Sequence, residues 1–255
     1  MGRTLDCMGM GADLVLLAID DRRGEIRNGR YVALALAAAE LIELALIGRV
    51  GLSGSHLTVR GMDGVTQPDL VSALTKLAAS KRTVTVAGWL AARGELGRVR
   101  DCVLELEYAG AVQVDDPSKS VAGEQSMEVH FADRELAQAA VNCFAAVARG
   151  ARTSAEDEAF AALADAAGLT RVHLRGLSNR GARSRVSALT AHRVEPPPEP
   201  GRTVLAIARA AVLAMAEAVR REIDRGTGGS MAIPIDKQFG MQPGIRTAWG
   251  NPNIP

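Results

Sequence analysis

Aromatic residues are scarce in this chain of 255 residues, which holds two Trp, two Tyr and four Phe. That scarcity argues against β-sandwich packing, and the abundance of alanine and leucine favours helices. Cysteine is equally sparse. Cys7, Cys102 and Cys143 are odd in number and far apart, so neither a disulfide framework nor a metal-ligand spacing is present, and a reducing cytoplasm is the expected compartment. An excess of charge of one sign is also missing. Lysine and arginine total 30 against 29 aspartate and glutamate, a net charge of +1, so any electrostatic partner must be met by a local patch and not by a global field.

An uninterrupted apolar run long enough for a membrane is absent too. The best candidate, YVALALAAAELIELALIGRV from Tyr31 to Val50, carries Glu40 and Glu43 in its middle. A carboxylate at the centre of a spanning helix costs about 2.5 kcal/mol or more, so this segment reads as a buried helix of a water-soluble fold. The N-terminal MGRTLDCMGMG has no basic and apolar regions of a secretory signal, and Asp6 stands where a myristoylation motif needs Ser or Thr. No targeting signal is expected.

What remains is a mostly α chain with short β-hairpins and an extended C-terminal tail. ADLVLLAIDDRRGEI is a short apolar element ended by a polar turn at Asp20–Gly24, and the helix Tyr31–Ile47 stops at Gly48. A hairpin follows around Ser53-Gly54. Thr66 is placed to cap a helix with Pro68 in its first turn and a stripe of Leu70, Leu74 and Leu77. A short helix holds Trp89 and Leu90, another runs from Arg98 to Tyr108 and stops at Gly110, and AVQV and MEVHF bracket a second hairpin loop at Asp115–Ser126. The order helix, glycine, strand, turn, strand thus occurs twice, a weak internal repeat.

Further helices are expected over Arg134–Ala148 and over Ala155–Ala167, the latter capped by Thr153 with Glu156. EPPPEPG is a rigid connector. Val204, Ala208, Ala211, Met215 and Val219 mark one face of a final helix ending at Gly226. Beyond it, a tail rich in Gly, Pro and Asn carries Phe239, Ile245 and Trp249, and Phe239 and Trp249 are its expected contact residues.

The catalytic inventory is thin. There is no P-loop, nucleophile elbow or histidine pair at helical ligand spacing, and no cofactor or metal is expected. GMGADL lacks the third glycine of a dinucleotide fingerprint and precedes its apolar run. His56, His130, His173 and His192 are dispersed, and Asp20-Asp21 reads as a solvated turn. Basic residues are the informative ones. Between Asp165 and Glu195 there is no acid, while Arg171, Arg175, Arg180, Arg183, Arg185 and Arg193 accumulate. Two readings stand for this run: a phosphate- or carboxylate-recognising patch, and a solvated helix face. Arg98 and Arg100 sit in the expected first turn of their helix, where cations are disfavoured by the dipole unless an anion lies there too.

LVLLAIDD, LIELALIGRV, GVTQPDLVSAL, VAGWLAA, VRDCVLELEYAGAV and FAALADAAGL occur in that order between Leu14 and Leu169. In order and spacing they resemble the Golgi phosphoprotein 3 family, and the likeness extends to about Asp224. The resemblance implies a domain over residues 12–225 with a tail at 226–255, a compact helical body and a protruding hairpin. It implies a noncatalytic module that recognises an anionic lipid headgroup, phosphoinositide-like or otherwise phosphorylated, at a membrane surface. The family's headgroup tryptophan and arginine fall on Asn28 and Ala37 here, and its two later arginines on Gly97, beside Arg98, and on Arg100. The composition and this reduced basic pocket look like a bacterial, actinobacterial-type branch, peripheral on the inner membrane face.

The candidate headgroup-binding set is therefore Arg98, Arg100, Arg175, Arg183 and Arg185. The hairpin residues Val112, Val114, Val129 and Phe131, by the same resemblance, are the candidates for self-association, and the tail is a second route to a homo-oligomer. Two alternatives are carried forward. One is an enzyme whose small-molecule pocket evolved on the same scaffold and is closed by the tail. The other is a winged-helix-like nucleic-acid binder, against which the near-zero net charge argues.

Overall fold

The computed structural model describes residues 9–80, 82–115, 128–152, 154–189 and 199–224. Ten α-helices, one short 3-10 helix (Leu177–Asn179) and three two-stranded antiparallel hairpins occur among them, so the chain is mostly helical as its composition favours. The helices are α1 (Met10–Ala18), α2 (Gly29–Leu46), α3 (Pro68–Ala79), α4 (Val86–Arg93), α5 (Leu96–Tyr108), α6 (Arg134–Arg149), α7 (Ala155–Ala166), α8 (Thr170–His173), α9 (Arg180–Ala188) and α10 (Gly201–Asp224). The strands are β1 (Ile19–Asp20), β2 (Glu25–Ile26), β3 (Val50–Ser53), β4 (His56–Val59), β5 (Val112–Asp115) and β6 (Glu128–Phe131).

The segment that failed as a membrane span is the hub. A helix apolar on all sides belongs inside a protein, and α2 packs against α1, α3, α4, α5, α7 and α10. Val32, Ala33, Ala35, Ala37, Leu41, Ile42 and Leu44 have no exposed surface. The many alanines on these helices let neighbouring backbones approach closely, so a core with few aromatic side chains still packs densely. No helix of the described residues is long and apolar enough to cross a membrane.

The two repeat copies end their helices alike. Gly48 (φ 72°) and Gly110 (φ 75°) take the left-handed conformation that a non-glycine residue resists. In both, the glycine N–H and the next N–H bond back to the helix: Gly48 to Ala45 and Arg49 to Leu44, Gly110 to Glu107 and Ala111 to Leu106. This is the same closing motif twice. Each is followed by a hairpin, β3–β4 with Val50 opposite Val59 and β5–β6 with Val112 opposite Phe131.

Several boundaries move. The cap position of α3 is Gln67 and not Thr66, with no side-chain bond, because Pro68 occupies the first helical position and fixes the residue before it as the cap. The cap of α7 is Ser154, whose Oγ accepts from the Asp157 N–H at 3.1 Å and donates to Asp157 Oδ2 at 2.7 Å. The expected Thr153–Glu156 pair is thus displaced by one, and Thr153 lies outside the described residues. Helix α2 begins at Gly29, two residues before the expected start, and α5 at Leu96 instead of Arg98. Cys7, the hairpin loop beyond Asp115, His192, Arg193, most of EPPPEPG, Gly226, and the tail with Phe239 and Trp249 also lie outside the described residues.

Candidate functional site

A cavity of about 350 Å³ lies between α1, α2, α3 and α5. From α2 it receives Leu36, Ala39, Glu40 and Glu43, which share one helix face at spacings of three and four. Asp69 comes from the first turn of α3, and Arg98, Cys102 and Glu105 come from one face of α5. The described lining therefore holds four carboxylates and one guanidinium.

Glu40 explains why the apolar helix α2 tolerates a charge. Its carboxylate is 5% exposed and receives Arg93 from α4 at 2.7 Å (Nη2 to Oε1) and 3.2 Å (Nε to Oε2). Arg98 Nη2 also donates to Glu40 Oε1, and donates to Asp69 Oδ2 at 3.2 Å. Burial alone would lower the Arg98 pKa, yet Glu40 and Asp69 together hold it above the ordinary guanidinium value. The Arg98 Nε is buried without a hydrogen-bond partner. Glu43 serves differently: its Oε1 accepts the Met10 N–H at 2.5 Å, at the start of α1, where a negative charge suits the helix dipole.

The anion expected at the start of α5 is thus present, and the chain supplies it itself as Glu40 and Asp69. With α5 beginning at Leu96, Arg100 is the fifth helical residue and points away from this cluster: it is exposed, without a carboxylate partner among the described residues. The remaining carboxyl of the cavity, Glu105, is pushed upward by burial and by Asp69, with Arg98 opposing. The Cys102 thiol is pushed up to about 12 by burial, then by Glu105 and Asp69. A thiol so placed is neutral at physiological pH and is not a nucleophile.

Positions 28 and 37 do not complete this wall. Ala37 is fully buried and its carbonyl accepts the Trp89 Nε1–H at 3.0 Å, while Asn28 Nδ2 donates to the Ala167 carbonyl at 2.9 Å. Both positions are used to join α2 to α4 and to α7.

The other candidate arginines belong to a different neighbourhood. α5 packs on α1, α2 and β5, whereas α9 packs on α6 and α7. Arg183 Nη1 donates to the carbonyls of Leu174 at 2.6 Å and Gly176 at 3.0 Å, closing the loop between α8 and α9. Arg185 lies over Gly150 at the C-terminal end of α6, where a cation complements the exposed carbonyls. Arg175 is exposed. Of the run, Arg183 is structural and Arg175 faces solvent.

The hairpin face assigned to self-association is turned inward. Val112 and Val129 are 2% and 0% exposed, and Val114 and Phe131 pack against the same core. On the opposite face, donor atoms of Asp115, Glu128 and His130 lie within 4.8 Å of one another. Their separation in sequence hides this grouping, which the β5–β6 register creates. His130 Nδ1 is 3.1 Å from the Asp21 carbonyl, and Asp21 Oδ1 and Oδ2 take the Phe131 N–H and Arg134, so Asp21 ties the first turn to this hairpin. The outward face of α5, with Arg100, Asp101, Leu104 and Tyr108, is mixed in sign and does not resemble a basic recognition helix.

Sequence reading missed the carboxylates that build the cavity. Glu40 and Glu43 were informative only as obstacles to a membrane span. The available signal was that a carboxylate inside an apolar helix requires a buried cation, and Arg93 and Arg98 are the cations.

Residues 10–225, most of the chain, match the family described as Golgi phosphoprotein 3 (GPP34). The chain belongs to this family. Comparison with curated proteins gave no match. The matched span runs from the first residue of α1 to one residue past α10, so the cavity, its ion-pair cluster and both repeat hairpins are parts of the Golgi phosphoprotein 3 domain.

Proposed function

We propose that this member of the Golgi phosphoprotein 3 family is a noncatalytic binding module whose ligand seat is the cavity between α1, α2, α3 and α5, and that the seat takes a small cation-bearing ligand, an ammonium or guanidinium group. The observation that carries the proposal is the pairing of Arg98 with both Glu40 and Asp69. It occupies the one basic group of the described wall, with Arg93 standing behind Glu40. A phosphate entering there would find Arg98 already engaged by two carboxylates, whereas an organic cation would meet carboxylate oxygens. The volume is at the small end of the roughly 300–1,000 Å³ common for ligand pockets. The neutral Cys102 thiol supports binding over covalent chemistry.

The test is calorimetric titration of the full chain with spermidine and, separately, with inositol 4-phosphate. Spermidine binding that weakens at least about tenfold in a Glu43→Gln, Glu105→Gln double variant supports the reading. Inositol 4-phosphate binding that instead depends on Arg98, with no response to spermidine, would overturn it.

A second reading has its own observation. Arg100 is exposed and lacks a carboxylate partner among the described residues, so an anionic headgroup at a membrane surface would be met by it outside the cavity. Co-sedimentation with vesicles containing anionic lipid, at low and physiological salt, tests this with Arg100→Ala beside wild type. Headgroup-dependent binding lost in the variant supports surface recognition, and binding indifferent to Arg100 removes it.

A further inference from the structure

A second concavity, of about 440 Å³, opens on another side of the molecule between the β3–β4 hairpin, the start of α4, and α10. Leu52, Val86, Ala206, Ala210, Leu213 and Ala214 line it, and none of the described lining residues is charged. Leu213 is 63% exposed, an unusual surface for a leucine flanked by three alanines on the same helix. The opposite face of α10, with Val204, Ile207, Ala208, Ala211 and Met215, is already buried in the core. α10 is therefore apolar on two sides and partnered on one.

The chain downstream has the length and chemistry to cover it. After Asp224 come six residues, RGTGGS, without an aliphatic anchor, and then the uncharged pentad MAIPI, Met231 to Ile235. The groove lies behind the end of α10: from Asp224 back to Leu213 and Ala210 is about 16 to 21 Å at 1.5 Å per helical residue. Six residues span at most about 20 Å when extended. A chain that doubles back along α10 thus brings the pentad to Leu213 as the glycine-rich spacer runs out. Phe239 follows four residues later.

We propose that Met231–Ile235 of this same chain docks intramolecularly in the groove formed by α10, α4 and the β3–β4 hairpin, with Ile233 and Ile235 as its aliphatic anchors against Leu213 and Ala210. The reading is independent of the cavity between α1, α2, α3 and α5. A proline at position 234 suits an extended segment in a groove because it removes a donor and fixes an extended backbone before it.

Hydrogen exchange on the full-length chain tests the proposal, comparing wild type with Ile233→Asp, Ile235→Asp and with Leu213→Asp. Leu213 is exposed, so its substitution leaves the core intact, and exchange in α2 and α7 reports folding for both variants. Both variants should exchange roughly tenfold faster than wild type in β3, the first turn of α4 and residues 206–214, with α2 and α7 unchanged. Wild-type protection must be independent of protein concentration at monomeric mass. Exchange in the groove that is unaffected by the tail variant overturns the proposal, and so does protection that rises with concentration together with a dimeric mass, since the groove's occupant is then another copy.

Discussion

Arg93 on α4 and Glu40 on α2 form a two-pronged ion pair with 8% and 6% of their side chains exposed. The same guanidinium lies 5.4 Å from the ring centroid of Trp89, whose indole N–H is bonded to the Ala37 carbonyl. One helical turn of α4 is thereby fixed to α2 by an ion pair and a hydrogen bond, and the ring face steadies the guanidinium within α4. Breaking a buried pair leaves the survivor desolvated, which costs about 3–5 kcal/mol. Arg98 still touches Glu40, so Arg93→Met should fall at the lower end, about 3 kcal/mol by urea denaturation. Adding Glu40→Gln should recover part of the loss. An Arg93→Met variant within 0.5 kcal/mol of wild type, roughly the scatter of surface substitutions, would show that Arg98 alone satisfies Glu40.

Much of this arrangement was legible from sequence at the level of elements and not of partners. The period of apolar residues and the glycines that end helices depend on neighbours three to five residues away, so α2, α7, α10 and both repeat hairpins are readable locally. Cap positions slipped by a residue where two candidates stood side by side, Thr66 beside Gln67 and Thr153 beside Ser154. The cavity was not readable, since Glu40, Asp69 and Arg98 are 29 to 58 residues apart and meet only when α3 and α5 pack on α2. For the same reason Arg98 and Arg100 look equivalent in a string, yet one is spent on the chain's own carboxylates and the other is exposed.

His173 makes folding sensitive to acid. Its Nε2 lies 2.7 Å from the Leu17 carbonyl, a distance that fits an N–H donor, and its ring meets Phe144 edge-on at 6.4 Å. Burial holds its pKa below the ordinary 6.5, with Arg27 and Arg175 adding to the depression and the Leu17 bond opposing it. The unfolded chain thus binds the proton first as pH falls. Stability should be flat above about pH 7 and decline below 6.5 until the folded imidazole itself titrates. His173→Gln, which keeps a donor, should abolish the part of that decline beginning near 6.5. An unchanged slope would assign it to the carboxylates.

Cys102 should resist alkylation. A thiol pushed up to about 12 has so little thiolate at pH 8 that labelling by iodoacetamide should be at least about a hundredfold slower than for an ordinary thiol. Peptide mass spectrometry of the native chain against the urea-unfolded chain reads this directly. Labelling at the unfolded rate would mean that the sulfur is not buried beside Glu105 and Asp69 in solution.

Glu105 couples the cavity to pH in the opposite sense. Burial first, then Asp69 and Asp101, raise its pKa above the ordinary 4.5, and Arg98 lowers it. An acid that holds its proton more tightly when folded contributes stability below its unfolded pKa and loses it as pH rises through the folded one. At pH 7 the charged Glu105 is therefore a cost that Glu105→Gln removes. Because the residue is largely exposed, the gain should be a fraction of about 1 kcal/mol. The variant should melt above wild type at neutral pH, and the difference should vanish below the ordinary carboxyl range. A cation bound in the cavity favours the ionised carboxyl, so spermidine should release protons from wild type on binding. Titrations in buffers of different ionisation enthalpy measure that release, which should be absent from Glu105→Gln. A release of equal size from both proteins would place the responding carboxyl elsewhere in the wall.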